Sequence, residues 1–268
     1  MLLEKAPSSS LPAALLLGFA LLSSAQLCPA IETTPAQARS IGRKIWQNEC
    51  GGAVEGLTSW NAGENFASLG IGHFIWYPAG HRGPFEESFP ELVAFVSGRG
   101  AKLPKLLLVR HDAPCPWNSR AEFLAAQSSP EMKQLRHFLT DTIDLQAQFL
   151  VWRLQNGLPK MLARSSDGAH VQREFDRVGA TAQGCYALVD YVNFKGEGTL
   201  ATERYRGQGW GLLQVLETMN NSSSQFALDG FVAAATTVLR RRVENSPPER
   251  GEARWLRGWL ARVESYRE

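Results

Sequence analysis

Glu49 stands one further i+4 step along the apolar stripe Ala38, Ile41 and Ile45, immediately before Cys50-Gly51-Gly52. A carboxylate carried on that stripe at the last turn of a helix is aimed at apolar surroundings. Burial there would disfavour its charged form and make a protonated acid available near neutral pH, which is what a general acid needs. The alternative is a side chain that reaches solvent or bonds a neighbouring backbone amide. A second signal is the run SLGIGHFIWYP (68–78), in which Ser68 precedes Gly70-Ile71-Gly72 and His73. Glycine inside a strand pattern marks the close approach of another backbone or of a ligand. A third lies in DYVNFKGEGT (190–199) and ERYRGQGWGLLQVLE (203–217), where Tyr191, Asn193, Lys195, Glu203, Tyr205, Gln208 and Trp210 gather around glycines. Aromatic faces stack on sugar rings and amides bond N-acetyl and hydroxyl groups, so this cluster suits one wall of a glycan cleft. A capped loop between helices with Trp210 in the core fits it equally. Trp60 and Tyr77 invite the same sugar-binding reading, although strand alternation places about half of such aromatics inside.

Other chemistries leave no trace. His81, His111, His137 and His170 are scattered without the spacing of a zinc site, no two cysteines have C-x-x-C spacing, and no nucleophile elbow, phosphate loop or dinucleotide fingerprint occurs. Neither a metal nor an organic cofactor is expected. A formal net charge of +2 is too small to argue for nucleic acid.

The elements that must hold these residues are legible from their punctuation. Thr34-Pro35-Ala36-Gln37 is a capping box with proline at the first helical position, so a helix starts there and stops at Gly51-Gly52. In GLTSWNAGENFASLGIG two β-prone runs flank Asn61-Ala62-Gly63, the composition of a hairpin turn, with SLGIGHFIWYP as its second strand. Beyond the connector YPAGHRGPFEESFP the pattern turns helical. Ser119-Arg120-Ala121-Glu122 is another capping box, and Ser129-Pro130 opens one long amphipathic stretch through Leu154. Further helices are expected at about 168–177, 182–193, 208–220, 225–244 and 249–265. The fold class is therefore mainly α with a small β-hairpin (α+β).

Residues 1–30 carry a secretory pattern: Lys5 precedes the apolar run AALLLGFALL, and Ser23-Ser24-Ala25 offers a cleavage site. The apolar run is too short for a stable membrane anchor. The expected organisation is a signal peptide over 1–25 and a single domain over 26–268, periplasmic or secreted and not integral to the membrane after cleavage. In that compartment Cys28, Cys50, Cys115 and Cys185 permit disulfides in any of three connectivities.

A helix ending in glutamate, then a hairpin whose strand reads hydroxyl, aliphatic, Gly, Ile, Gly, His, resembles the catalytic region of phage-type lysozymes in the lysozyme-like superfamily. The resemblance covers about residues 35–77. It implies a lysozyme-like domain with additional C-terminal helices. Glu49 would be the acid that protonates the glycosidic oxygen, Ser68 would take the place of a threonine beside the attacking water, and His73, with Gly70 and Gly72, would be structural. The family's hairpin aspartate has no clean counterpart: Glu64 lies four residues before Ser68, whereas the family pattern points further back, to Ala62. Glu55 is a rival acid, because Glu55-Gly56-Leu57 echoes the family's Glu-Gly-Leu. Glu49 is preferred as the group held by a rigid helix end. The implied activity is cleavage of β-1,4 linkages in peptidoglycan without a cofactor, by hydrolysis or in the manner of a lytic transglycosylase. Two alternatives remain: a catalytically silent lysozyme-fold module that binds glycan or inhibits an envelope partner, and a hydrolase of another amino-sugar polymer such as chitosan.

Overall fold

A computed structural model describes residues 33–83, 85–108, 113–220 and 227–268. The predicted leader and Cys28 lie outside them. The chain is mainly helical with small antiparallel sheets. In chain order the elements are α1 (Pro35–Cys50), β1 (Thr58–Ser59), β2 (Ala67–Leu69), β3 (Phe74–Trp76), α2 (Phe89–Ser97), α3 (Lys105–Leu108), α4 (Arg120–Ala125), α5 (Pro130–Asp141), α6 (Ile143–Arg164), α7 (Gly168–Gly179) and α8 (Ala182–Lys195). There follow β4 (Arg204–Tyr205), β5 (Gln208–Gly209), α9 (Leu212–Thr218), α10 (Ala227–Asn245) and α11 (Ala253–Glu264). No described helix is long and apolar enough to cross a membrane.

Helix α1 starts and stops as its sequence dictates. The Thr34 hydroxyl accepts from the Gln37 backbone N–H while the Gln37 side chain accepts from that of Thr34, and Gly51 closes the helix in the left-handed region at φ 60°. Its buried stripe of Ala38, Ile41, Gly42 and Ile45 packs along α6. Gly42 lets the two backbones meet: a Cβ there would lie 2.8 Å from Ile143 Cγ2 and 2.9 Å from its carbonyl oxygen.

The run 68–78 is not one strand. It reverses at Gly70–His73, so that β2 pairs back against β3 with Leu69 opposite Phe74 and Ala67 opposite Trp76, and β1 completes an antiparallel sheet in the order β1-β2-β3. The reversal uses left-handed backbone at Gly70 (φ 70°) and His73 (φ 49°). It is fixed from α6: the buried Gln146 accepts from the Ile71 N–H (3.0 Å) and donates to the Leu139 carbonyl (2.6 Å) and the Thr142 hydroxyl (3.1 Å).

Two helical expectations shift for local reasons. The amphipathic stretch from Pro130 divides at Thr142, whose hydroxyl turns back to the Phe138 carbonyl and ends α5. The helix expected from 208 begins only at Leu212, because Arg206 (φ 50°) and Gly207 (φ 77°) make a tight reversal that pairs β4 with β5. Helix α8 is buried on nearly every side from Gly184 to Tyr191, and α6, α7 and α9 pack around it. Cys50 and Cys185 are unbridged thiols.

Gln146→Leu is expected to lower the unfolding free energy by about 2–4 kcal/mol, because it leaves the Ile71 N–H and the Leu139 carbonyl without their buried partner. Denaturant unfolding followed by circular dichroism measures it. A loss below about 1 kcal/mol would mean that Gln146 does not hold the turn.

Candidate active site

Glu49 ends the apolar stripe of α1 at a polar junction. Its side chain is 16% exposed, and its surroundings are not the apolar ones expected. Oε1 accepts from Arg262 Nη2 at 2.5 Å and from Asn193 Nδ2 at 3.2 Å, and Oε2 lies 3.7 Å from His73 Nδ1. The Glu49 side chain therefore stands among a guanidinium, an amide and an imidazole.

Arg262 comes from α11 and is itself held from α8. Its Nε donates to Asp190 Oδ2 and its Nη2 to Asp190 Oδ1, both at 2.8 Å. Asp190 is fully buried and also accepts from the Tyr266 hydroxyl (2.6 Å) and the Asn48 amide (3.3 Å), which donates in turn to the Tyr186 hydroxyl (2.8 Å). Burial works against the Arg262 charge, yet the hydrogen bonds to Asp190 and the charges of Asp190 and Glu49 more than offset it and hold the guanidinium above its ordinary range. Burial and the Asp190 charge push the Tyr186 hydroxyl up to about 12 and that of Tyr266 well above its usual value, so both keep their protons, and Tyr266 donates to Asp190.

His73 Nε2 lies 3.6 Å from Cys50 Sγ, which gives a Cys-His-Glu alignment. It is not poised for nucleophilic catalysis. Burial and the Glu49 charge push the Cys50 thiol up to about 11, and a helix C-terminus disfavours a thiolate. The glycines beside His73 clear protein rather than a ligand. A Cβ at Gly72 would come within 2.8 Å of the Phe74 ring and 3.2 Å of Asn193 Oδ1, and one at Gly70 would strike Gln146 Oε1.

No family model, curated protein or solved structure matches this chain. The site therefore rests on its own geometry.

Of the sequence-predicted residues, the structure brings Glu49, His73 and Asn193 together beside Gly72. Ser68 is buried within β2, opposite Ile75, and its carbonyl accepts from the Ser59 hydroxyl. Glu64 sits in the loop ahead of β2; its carbonyl accepts from the Trp60 indole (2.8 Å), its charge reaches Tyr77, and Oε2 is buried without a hydrogen-bond partner. No hydrogen bond or ion pair among the described residues joins Glu64 to the Glu49 cluster. Glu55 opens a short 3-10 turn and is exposed. Four aromatics expected at the substrate are packed inside, with their polar tips or rings engaged by protein. Trp60 lies against Phe123, the Tyr77 and Tyr191 hydroxyls donate to the carbonyls of Phe85 and Trp210, and Trp210 packs on Tyr205 beneath Arg242. Gln208 is exposed on β5. Among the described residues no group of three or more His, Cys, Asp or Glu side chains could hold a metal ion.

Sequence reasoning missed Arg262 and Asp190, and with them a file of basic side chains and rings that continues from the site. Arg262 lies over Phe194 (4.4 Å to the ring centre), the Lys195 amine over Phe194 (3.8 Å) and Trp259 (3.4 Å), and Arg242 over Trp259 (4.9 Å) and Trp210 (4.1 Å). Arg242 is anchored by two bonds to the buried Glu252, at 2.8 and 2.9 Å. The available signal was Asp190 itself, a charge inside the apolar helical run CYALVDYV, which requires a cationic or hydrogen-bonding partner. Trp259 and Arg262 share a face of α11 at i, i+3 spacing.

Burial pushes the Lys195 ammonium from 10.5 down to about 6; the charges of Arg242 and Arg262 act in the same direction and that of Glu252 opposes them. Between about pH 6 and pH 10 the unfolded chain then binds a proton that the folded one lacks, so this group makes stability rise with pH across that window. Lys195→Met is expected to flatten the rise in a series of denaturation curves from pH 6 to pH 10. Identical slopes in the two proteins would contradict it.

Proposed function

We propose that the protein is an exported glycosidase-like enzyme that cleaves β-1,4 linkages of peptidoglycan or a related amino-sugar polymer through Glu49. The observation that carries this reading is a single partly exposed carboxylate at the rigid end of α1, set against the Gly70–His73 turn and the Asn193 amide. The lysozyme-like resemblance over residues 35–77 implies a glutamate acid ahead of the hairpin, for which Glu49 is preferred and Glu55 is the rival. Asn193 is suited to bond a sugar N-acetyl or hydroxyl group once it turns from Glu49.

The surroundings favour a one-carboxylate mechanism. Both oxygens of Asp190 are taken by Arg262, Tyr266 and Asn48, so it does not serve as a partner acid or base. Among the described residues no hydrogen bond or ion pair links Glu64 to the cluster. With one glutamate acting first as acid and then as base, the sugar's own hydroxyl closes the product ring, as in a lytic transglycosylase. Two carboxylates flanking the bond would instead give hydrolysis with inversion or retention. Arg262 orients Glu49 and stabilises its charge after the proton has left.

The Glu49–Arg262 pair also favours a second reading: a catalytically silent module in which Glu49 is a structural anion and the same surface binds glycan.

Incubation of the mature protein with peptidoglycan, followed by mass spectrometry of soluble products, separates the two. Wild type is expected to release muropeptides lighter by one water than hydrolysis products. Glu49→Gln should release them roughly 10²- to 10⁴-fold more slowly, the worth of general acid catalysis, and Glu55→Gln at the wild-type rate. No fragments from wild type, with binding to the insoluble polymer retained in Glu49→Gln, would establish the silent module. Loss in Glu55→Gln alone would transfer the acid to Glu55.

A further inference from the structure

A polar cavity of about 410 Å³ opens where the β4–β5 hairpin meets the end of α6 and the faces of α9 and α10. Three guanidiniums line it, from Arg164, Arg204 and Arg241, with Ser166, Gln208 and a single carboxylate, Glu217. That carboxylate accepts from the Ser165 hydroxyl (2.9 Å) and forms no ion pair with the arginines among the described residues. Among the described residues the Arg204 guanidinium makes only long contacts, to the carbonyls of Gly207 and Gly198 at 3.5 and 3.4 Å.

Three like charges line this cavity against one carboxylate. An oxyanion supplies the missing counter-charge, and the planar guanidinium fork matches it with paired hydrogen bonds. The Ser166 hydroxyl and the Gln208 amide add neutral donors.

We infer that the Arg164–Arg204–Arg241 cavity binds a small oxyanion, a carboxylate or a phosphate. The inference is independent of the chemistry proposed for Glu49. It gives Gln208 a role at an anion site.

The test uses the full mature chain at constant ionic strength. Inorganic phosphate, succinate and chloride are titrated separately while the unfolding midpoint is recorded, because a ligand that binds only the folded state raises it in a saturable way. Phosphate or succinate is expected to raise the midpoint and chloride to leave it unchanged. A response to phosphate alone assigns phosphate, and one to succinate alone assigns carboxylate. Arg164→Gln, at an exposed position that leaves folding intact, and Arg241→Gln should each weaken the response about tenfold or more. Arg206→Gln, at the exposed tip of the same hairpin and outside the cavity, should match wild type. No saturable response to either oxyanion, or an undiminished one in Arg164→Gln, would overturn the inference.

Discussion

A guanidinium taken out of water must find both counter-charge and hydrogen-bond acceptors, and Arg262 finds them on two other helices. Asp190 grips it through two bonds from α8, and Glu49 meets it from the end of α1. Removing one partner of such a buried set leaves the others uncompensated, at a cost of about 3–5 kcal/mol. The rest of the site inherits this requirement. Helix α11 buries only Val263 completely, so its seat depends on Arg262 together with the partly buried Trp259 and Leu260. Tyr266 and Asn48 are drawn to Asp190 to satisfy what Arg262 leaves open, and the same clamp fixes which way Glu49 points.

The sheet supplies the opposite wall by a different device. It is too short to stabilise itself, and it borrows order from α6 through Gln146, whose amide holds the turn that carries His73. Helical packing thus fixes both sides of Glu49: α8 and α11 by charge, α6 by an amide acting at the backbone. Beyond the clamp, Phe194, Trp259 and Trp210 alternate with Arg262, the Lys195 amine and Arg242, and the carboxylates of Asp190 and Glu252 bind the two guanidiniums at the ends of the file.

What could be read from the sequence was what local chemistry decides. The capping box, the proline at the first position and the glycine stop delimit α1 without reference to any other part of the chain, and its stripe leads to Glu49. The hairpin turn at Asn61-Ala62-Gly63 is of the same kind. The break inside SLGIGHFIWYP was hidden because one of its two left-handed residues is a histidine and its anchor, Gln146, lies 75 residues away from Ile71. The Glu49–Arg262 pair spans 213 residues, and no local pattern reports it. Trp60, Tyr77, Tyr191 and Trp210 misled for a chemical reason: a large ring with one polar tip suits a sugar platform and a core position equally, and in all four the protein occupies the tip or the ring.

In the proposed mechanism Glu49 performs the chemistry and Arg262 acts through it. Rates of muropeptide release from Arg262→Met, Glu49→Gln and the double variant, each confirmed as folded by circular dichroism, test this as a cycle. The account predicts that Arg262→Met slows release in the wild-type background and adds nothing once Glu49 is already glutamine, since residues that work as a unit are not additive. An equal loss from Arg262→Met in both backgrounds would contradict it.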